Sequence, residues 1–402
     1  MEKTTDKGEQ MTPPKGYKHT ELGVLPEDWE VVRLGDVCEI KKGKVNPKKT
    51  ETIPCVELEH ISQDTGMLLG FIDSREQLSI KNSFSKGDVL FGKLRPYLRK
   101  FWRASFDGVC SSEIWVLQGK KVSNAFLFYL VQTARFSQIA NATCGTKMPR
   151  ADWKLMQDEN FAIPPLAEQE KIAEILSTWD TQIQNFETLI TEKQALKKGL
   201  CQTLLTAKTR LKGFSGDWEV VRLGDVCEIN PKSLELPDTF IYIDLESVSR
   251  GKLCSVKYMK KTNAPSRAKR TLQKHDILFQ MVRPYQKNNL YFNLEGDYVA
   301  STGYAQIRTK QSSGFVFQYI HSRAFVDRVI EKCTGSNYPA INATDLSQIE
   351  IPLPPLAEQE KIAEILSEVD NGITLLEQKL ESLKSQKKGI IQILLNGKVR
   401  VK

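Results

Sequence analysis

The chain has 402 residues, of which 40% are hydrophobic and 26% are charged, and its formal net charge is +8. This length exceeds one ordinary core, so two to four domains are expected. The composition is typical of a soluble globular protein, and no run of about 18 apolar residues indicates a membrane span. The polar residues 1–20 lack the apolar core of a signal peptide and are predicted to form a poorly ordered leader.

Two phrases of the sequence occur twice. Asp28–Ile40 (Asp-Trp-Glu-Val-Val-Arg-Leu-Gly-Asp-Val-Cys-Glu-Ile) recurs unchanged as Asp217–Ile229, and Pro164–Ser177 recurs unchanged as Pro354–Ser367. The offsets, 217 − 28 = 189 and 354 − 164 = 190, indicate two tandem units of about 190 residues. Such a period is typical of a duplicated domain with its linker and is too long for a solenoid repeat.

The segments between the repeated phrases, 21–163 and 213–353, have diverged. Each is predicted to be a mixed α/β domain with one amphipathic helix, near Asn124–Ala140 and near Phe315–Glu331. Short β-rich runs are separated by Gly, Pro, Asn and Asp. The clearest runs are Trp29–Leu34, Val89–Phe91, Ile114–Leu117, Ile241–Ile243 and Ile277–Phe279.

The segments near 166–208 and 356–398 are predicted to be helices with coiled-coil periodicity. Their apolar residues alternate steps of four and three, and a stripe this narrow buries a seam against one partner helix. We therefore predict that the two helices pair with each other; the alternative is that each packs on its own domain. The predicted interface residues are Ile172, Leu176, Trp179, Ile183, Phe186, Ile190, Ile362, Leu366, Val369, Ile373, Leu376 and Leu380.

Basic charge is confined to the diverged segments. Residues 257–287 contain nine Lys or Arg and one acid, Asp276, and residues 81–103 contain seven Lys or Arg and one acid, Asp88. The predicted helices are acidic instead. A basic patch favours a polyanionic partner, and nucleic acid is the first candidate.

Motifs for catalysis are missing from the sequence. There is no P-loop, no amino-methyltransferase signature and no metal-ligand spacing among the four histidines. Glu39-Ile-Lys41 resembles the tail of a nuclease motif, but its counterpart, Glu228-Ile-Asn230, lacks the lysine. The eight cysteines show no Cys-x-x-Cys pair and are expected to be free thiols. We predict a non-enzyme that binds no metal and no cofactor.

A basic–aromatic element is shared by the two units. Phe91–Lys100 aligns with Phe279–Asn288 at an offset of 279 − 91 = 188, and both contain Arg-Pro-Tyr. Proline ends the strand, so arginine and tyrosine can contact a phosphate or a base, although a purely structural role is an equal alternative.

Positions that differ between the units are better candidates for base readout than shared positions. Examples are Glu113 against Gly303 and Lys93 against Met281. The candidate DNA-binding residues are Lys93, Arg95, Tyr97, Arg99, Glu113, Lys147, Arg150, Gln280, Arg283, Tyr285, Lys287, Tyr304, Asn337 and Tyr338.

Taken together, these motifs resemble one protein family. They are the opening Trp-x-x-x-x-Leu-Gly-Asp, the Gly-Thr/Ser loops at 145 and 335, Pro-Pro-Leu-Ala-Glu-Gln-Glu-Lys-Ile, and the closing Lys-Lys-Gly-x-x-Gln-x-Leu-Leu. From about Thr20 to Lys402 the chain resembles the DNA specificity (S) subunit of Type I restriction–modification systems (HsdS family). Departures are small: Leu353 replaces Ile163 before Pro-Pro, and the second unit lacks Pro26.

The resemblance implies an α/β (α+β) fold with an internal pseudo-twofold repeat. Two target recognition domains, 21–163 and 213–353, would be separated by two long conserved helices, 164–212 and 354–402, that form an antiparallel coiled coil. Each domain would recognise one half of an asymmetric, bipartite site on double-stranded DNA, and the helix pair would set the spacer between the halves.

The resemblance also implies partner subunits that perform the catalysis. Two modification (methyltransferase) subunits would bring S-adenosylmethionine, and restriction/translocase subunits would bring ATP and Mg. We expect a cytoplasmic, nucleoid-associated protein of a bacterium or archaeon, with no membrane contact. Two rival hypotheses are a fused enzyme with its own nuclease or methyltransferase site and a coiled-coil adaptor with no DNA role.

Overall fold

A computed structural model describes residues 13–49, 52–142, 148–249, 251–335 and 337–401. The chain folds into two compact units: unit 1 comprises Met1–Asn185 and Leu380–Lys402, and unit 2 comprises Phe186–Lys379. Each unit therefore contains one diverged segment, the first part of one long helix and the last part of the other.

Unit 1 contains two main sheets in its described residues. A four-stranded antiparallel sheet has the order β10-β9-β12-β4, and a five-stranded mixed sheet has the order β5-β8-β11-β6-β7, in which β11 and β6 are parallel. Two further pairs, β1-β2 and β3-β13, are antiparallel. The strands are β1 Tyr17–Thr20, β2 Gly23–Pro26, β3 Glu30–Arg33, β4 Cys38–Ile40, β5 Lys44–Val45, β6 Pro54–Val56, β7 Ile72–Asp73, β8 Lys81–Phe84, β9 Val89–Gly92, β10 Phe101–Arg103, β11 Gly108–Cys110, β12 Ile114–Gly119 and β13 Asn160–Ile163.

The N-terminal prediction needs a correction. Strand β1, the last four residues of the leader that was expected to be poorly ordered, pairs with β2; residues 1–12 lie outside the described residues.

The predicted single helix near Asn124–Ala140 is wrong, because two helices occupy this stretch. Thr133 separates them: its hydroxyl donates to the carbonyl of Leu130 at 2.7 Å and accepts from the backbone N–H of Phe136 at 3.2 Å, which caps the second helix. The helices that begin in unit 1 are α1 Leu34–Val37, α2 Asn124–Leu130, α3 Ala134–Ala142, α4 Trp153–Met156 and α5 Leu166–Leu204, and the 3-10 turns are Pro47–Lys49, Leu58–His60, Ser74–Glu76 and Pro96–Leu98.

Unit 2 repeats this plan with differences in its second sheet. Its main sheet has the order β15-β24-β21-β22, its second sheet the order β19-β16-β23-β20, and two further pairs are β14-β25 and β17-β18. The strands are β14 Glu219–Arg222, β15 Cys227–Ile229, β16 Thr239–Ile243, β17 Val248–Ser249, β18 Lys252–Leu253, β19 Lys257–Lys260, β20 Ala268–Thr271, β21 Ile277–Gln280, β22 Leu290–Tyr291, β23 Tyr298–Ser301, β24 Tyr304–Thr309 and β25 Glu350–Leu353.

The helical prediction near Phe315–Glu331 is corrected in the same way. Two helices occupy this stretch as well, and Ser322 caps the second, because its hydroxyl accepts from the N–H of Phe325 at 3.2 Å. The helices that begin in unit 2 are α6 Leu223–Val226, α7 Ser313–Ile320, α8 Arg323–Glu331, α9 Ala343–Ser347 and α10 Leu356–Leu395, and the 3-10 turns are Lys261–Asn263 and Pro284–Gln286.

The main sheet of each unit is buried on both faces. In β9 of unit 1, Val89 and Phe91 belong to the core shared with the helices, whereas Leu90 belongs to the core between the two sheets. In β21 of unit 2, Phe279 likewise belongs to the core shared with the helices and Leu278 to the core between the two sheets. Side chains alternate between the faces of a strand, so burial on both sides explains why these strands are continuous apolar runs.

The two repeated phrases contact each other within each unit. In unit 1, β3 from the first phrase pairs with β13, which leads into the second phrase, and the indole N–H of Trp29 donates to Glu168 at 2.9 Å. In unit 2, β14 pairs with β25, and Trp218 donates to Glu358 at 3.2 Å. These contacts explain why the phrases are preserved together.

The two predicted long helices are confirmed as α5 and α10, which end before 208 and 398. The helix segments in each unit run antiparallel: Asp180 near the start of α5 binds Lys387 near the end of α10, and Asp370 binds Lys197 at 2.6 Å in unit 2. All twelve predicted seam residues are buried or half-buried. The seam is not separate from the domains, however, because Ile172 packs into the main core of unit 1.

Candidate DNA interface

The Arg-Pro-Tyr element forms the same turn in both units. In unit 1, β9 ends at Gly92, and the 3-10 turn Pro96–Leu98 is flanked by Arg95 (φ 51°) and Arg99 (φ 48°) in the left-handed conformation. A non-glycine residue in this region is strained, and such strain is common at functional sites. Two strained arginines that flank one turn therefore mark it as a candidate site.

The turn of unit 2 matches this geometry. Arg283 (φ 53°) and Lys287 (φ 55°) flank the 3-10 turn Pro284–Gln286. The backbone N–H of Arg283 donates to the carbonyl of Pro339 at 2.7 Å, just as the N–H of Arg95 donates to Pro149 at 2.7 Å. The turn is thus anchored by a proline that lies between α3 and α4 in unit 1 and between α8 and α9 in unit 2.

The second strained residue of each turn binds the end of a helix. Arg99 donates from Nη2 to the carbonyl of Gln132 at 2.8 Å and from Nε to Asp64 at 2.7 Å. Lys287 donates to the carbonyl of His321, at the end of α7, at 2.8 Å. Cations stabilise a helix C-terminus, so these contacts give Arg99 and Lys287 structural roles, and base readout by either residue stays a prediction.

Two predicted DNA-binding residues of unit 2 are buried. Gln280 is 4% exposed, and its side-chain amide donates to the carbonyl of Val282 at 2.7 Å and to Gln286 at 2.9 Å. Tyr304 is fully buried and donates to the carbonyl of Asp244 at 3.3 Å. Burial argues against direct contact with DNA and corrects this part of the prediction.

Three predicted side chains on the turns are accessible. Tyr97 and Tyr285 are about half exposed, and Arg95 is exposed. Within the described ranges, the guanidinium of Arg95 makes no hydrogen bond and no ion pair. An unpaired guanidinium beside an accessible phenol suits contact with a phosphate.

The surroundings of the turn differ between the units. In unit 1, Arg150 pairs with Glu113 through two hydrogen bonds of 2.9 and 3.3 Å. The hydrogen bonds and the charge of Glu113 raise the pKa of Arg150 above its ordinary value. In unit 2, the guanidinium of Arg283 stacks 4.3 Å from the ring centroid of Tyr338, which is exposed.

The remaining predicted residues have diverse positions. Lys93 is half-buried beside the turn of unit 1, and Asn337 is exposed next to Tyr338. Lys147 lies outside the described residues.

Several basic residues of the two charged segments are neutralised by acids from elsewhere in the fold. Lys257 pairs with Asp244 and Lys261 with Glu235. Lys81 is 2% exposed and pairs with Glu57 at 2.5 Å. The basic surface is therefore smaller than the sequence count indicates.

The side-chain contacts bear on the nuclease-like motif and on the possible metal ligands. Lys41, from the nuclease-like Glu39-Ile-Lys41, donates to Asp88 at 2.8 Å and to Ser85 at 2.9 Å. Across the described residues, no cluster of three His, Cys, Asp or Glu could hold a metal ion. None of the helices in those ranges combines the length and apolarity needed to cross a membrane.

Sequence reasoning missed the partners that give Arg99 its structural role. Asp64 and Gln132 lie 35 and 33 residues away from Arg99 in the chain. Neither stands in a repeated phrase, so no local pattern signals this contact.

Comparisons with known proteins agree with this architecture. The specificity subunit of the Type I restriction enzyme MjaVIII from Methanocaldococcus jannaschii is 27% identical over 415 residues, which cover 94% of each chain. The S subunit of a Type-I restriction-modification system from M. genitalium has a TM-score of 0.59 at 15% identity and covers 91% of this chain and 96% of that chain. A chain from a structure of type I R-M complex assembly has a TM-score of 0.57 at 23% identity, covering 93% and 99%. These two structures support the fold.

The family model described as the Type I restriction modification DNA specificity domain matches residues 26–194 and 215–385. Each match includes one diverged segment, its turn and most of the long helix that follows it. The chain therefore belongs to the family of Type I restriction–modification specificity subunits, with two tandem DNA specificity domains.

Proposed function

We propose that each unit recognises one half of an asymmetric, bipartite DNA site. The observation that supports this most directly is the shared strained turn with unlike neighbours. Both units have the same backbone geometry at Arg95 and Arg283, but Glu113 with Arg150 lies beside one turn and Tyr338 beside the other. A common frame with different side chains suits two unlike half-sites.

Shared and different residues have separate roles in this proposal. Arg95, Tyr97 and Tyr285 contact the sugar–phosphate backbone and fix the orientation of each unit, because phosphate contacts position a protein without specifying sequence. The unlike residues Lys93, Glu113, Arg150, Asn337 and Tyr338 contact base edges or determine which residues can do so. Lys147 has the same proposed role by its place in the sequence.

The helix pair has two further proposed roles. Helices α5 and α10 each contribute residues to both units, so their length sets the spacer between the half-sites. Their exposed flanks contain many acids, such as Glu364 and Glu368, which suit protein partners better than DNA. We propose that two modification subunits dock there.

Catalysis is proposed to belong to the partners. The modification subunits would bind S-adenosylmethionine, and restriction/translocase subunits would bind ATP and Mg, so this chain would hold no cofactor of its own. The corresponding place of action is the nucleoid in the cytoplasm of a bacterial or archaeal cell.

Selection of bound sequences from a randomised duplex library by the full-length chain tests the DNA-binding proposal. The expected result is one motif with two unlike halves and a spacer of fixed length. The logarithm of the affinity should fall linearly with the logarithm of the salt concentration, because binding releases counterions. Equal binding to all sequences, or no salt dependence, would favour the coiled-coil adaptor.

Purified chain without partners tests the location of catalysis. No methylation and no cleavage of the selected duplex are expected, even with S-adenosylmethionine, ATP and Mg present. Activity that survives in the purified chain would support the fused enzyme.

A further inference from the structure

Unit 1 has an arginine–glutamate pair beside its turn. The backbone N–H of Lys93 donates to the carbonyl of Glu113 at 3.0 Å, and Leu94 forms an antiparallel bridge with Arg150. The next residue along the chain is Arg95, which begins the strained turn. The pair therefore lies at the part of unit 1 that we assign to the DNA interface.

The pairing leaves one end of the guanidinium free. Arg150 donates from Nε to Oε2 of Glu113 and from Nη2 to Oε1, which uses the N–H groups along one edge of the guanidinium plane. The other end, formed by Nη1 and the outward N–H of Nη2, still offers two parallel donors. No residue in the described part of the chain accepts from Nη1, and the Arg150 side chain is 44% exposed.

Two parallel N–H donors match the edge of guanine in the major groove. Guanine presents two acceptors there, O6 and N7, whereas adenine presents one acceptor and one donor. The carboxylate holds the guanidinium in one orientation, so less side-chain freedom is lost when a base binds.

The charge of the pair also favours a base over a phosphate. Glu113 neutralises most of the attraction that Arg150 would have for a phosphate, and its own charge repels one. An arginine that only neutralises the DNA backbone gains nothing from such a partner. Arg95, which forms no ion pair with any of the described residues, fits that role.

We infer that Arg150, oriented by Glu113, recognises a guanine in the half-site contacted by unit 1. The inference rests on the proposed function of the two units. In unit 2 the matching positions are Gly303, whose carbonyl accepts from the N–H of Met281 at 3.1 Å, and Ala340, which forms the matching bridge with Val282. This guanine contact therefore belongs to one half-site only.

Unit 2 would need repacking to acquire the pair. A Cβ atom at Gly303 would lie 3.1 Å from the side chain of Leu245, so a glutamate there requires Leu245 to move. Variants of unit 1 consequently give the cleaner test.

The test is selection of bound sequences from a randomised duplex library by full-length wild-type chain, Arg150→Ala and Arg150→Lys. The wild-type motif should contain a G·C base pair at one position of one half-site. At that position the preference for G·C should fall about 10- to 100-fold in both variants, and the preferences at all other positions should stay unchanged. Arg150→Lys should keep the salt slope of wild type, because it retains the charge but not the paired donors. Glu113→Gln should weaken the same base preference less than Arg150→Ala does.

Arg75→Ala is the matched control, because Arg75 forms a comparable surface pair with Asp73 at 3.3 Å in the same unit; its motif should equal that of wild type. A wild-type chain that selects a bipartite motif, while Arg150→Ala and Arg150→Lys select the same motif, overturns the guanine contact alone. A wild-type chain that selects no motif contradicts the proposed function itself. Thermal unfolding of each variant shows whether a lost preference comes from a folded protein, and Arg150→Lys gives the deciding result where Arg150→Ala does not fold.

Discussion

Arg400 of unit 1 donates from Nε and Nη2 to the two carboxylate oxygens of Glu168, each at 2.9 Å. The same carboxylate accepts from the indole of Trp29. In unit 2, Arg210 and Glu358 form the matching contact at 2.8 Å. The segment that follows each long helix thus binds the start of the other long helix, and the glutamate shared by the two repeated phrases is the anchor.

Replacement of Arg400 by alanine should destabilise unit 1. Glu168 is 5% exposed, and loss of its cation leaves a buried carboxylate at a cost of about 3 kcal/mol. Hydrogen exchange resolved by peptide should show faster exchange in unit 1 while unit 2 keeps its wild-type rates. Arg210→Ala should give the converse pattern, and Arg323→Ala, whose ion pair is fully at the surface, should change neither unit. Equal protection in Arg400→Ala and wild type would contradict the anchoring role.

The lysine–aspartate contact in the helix seam should behave as a coupled pair. Lys387 is 9% exposed, so Asp180→Ala leaves a nearly buried ammonium without its carboxylate and should cost about 3 kcal/mol. Adding Lys387→Met should restore part of this loss, because both charges are then removed. Urea unfolding of the four species in a double-mutant cycle measures the coupling. Additive free energies would show that the contact contributes nothing specific.

Replacement of Arg95 by glycine and by alanine should have different effects on stability and the same effect on DNA binding. Arg95 has φ 51°, a conformation that costs non-glycine residues about 1 kcal/mol, so Arg95→Gly should be more stable than Arg95→Ala by about that amount. Both variants should bind DNA more weakly than wild type, with a salt slope reduced by about one, because each lacks one phosphate contact. Unchanged affinity in both variants would exclude Arg95 from the interface.

Acidification should destabilise unit 2 through His321. Burial lowers the pKa of His321 from 6.5 to about 4, with Lys197 and Lys287 acting in the same direction and Asp370 opposing them. Between these values the unfolded chain binds a proton that the folded chain does not, so stability falls as the pH falls from 6.5 towards 4, by at most about 1.4 kcal/mol per pH unit.

His321→Gln is the matched variant for this prediction. Gln132 occupies the corresponding place in unit 1 and donates to the carbonyl of Phe128 at 2.9 Å, as Nδ1 of His321 does to Phe317 at 2.7 Å. Urea unfolding of unit 2 between pH 7 and pH 4 should show a smaller loss of stability in His321→Gln than in wild type. Parallel pH curves would contradict the assignment.

The sequence predicts those elements of the fold whose signal is local. The five β-rich runs are strands, and the alternation of fours and threes correctly gives α5 and α10. The breaks at Thr133 and Ser322 are not predicted, because the hydroxyl that caps the second helix of each pair does not interrupt the apolar pattern.

The site is less predictable because its residues are assigned by contacts that are distant in sequence. Arg95 and Arg99 are the same residue type in the same short segment, but Asp64 and Gln132 bind only Arg99. Gln280 looks accessible at the end of an apolar strand, yet it is enclosed by the turn that it stabilises. Basic residues counted within one segment are likewise neutralised by acids from other segments.

The length of the helix pair should determine the spacer. Insertion of four residues into both α5 and α10, between the parts that belong to different units, adds about one helical turn to each helix. Sequence selection should then return the wild-type half-sites with a longer spacer. An unchanged spacer would show that helix length does not set the distance.

The central claim, that each unit recognises its own half-site, is tested most directly by exchange of one domain. Residues 21–163 are replaced by the corresponding segment of another specificity subunit, and the bound motif is determined by selection with the full-length chain. The predicted result is a new sequence in one half-site, with the other half-site and the spacer as in wild type. A change in both half-sites, or in neither, would contradict the claim.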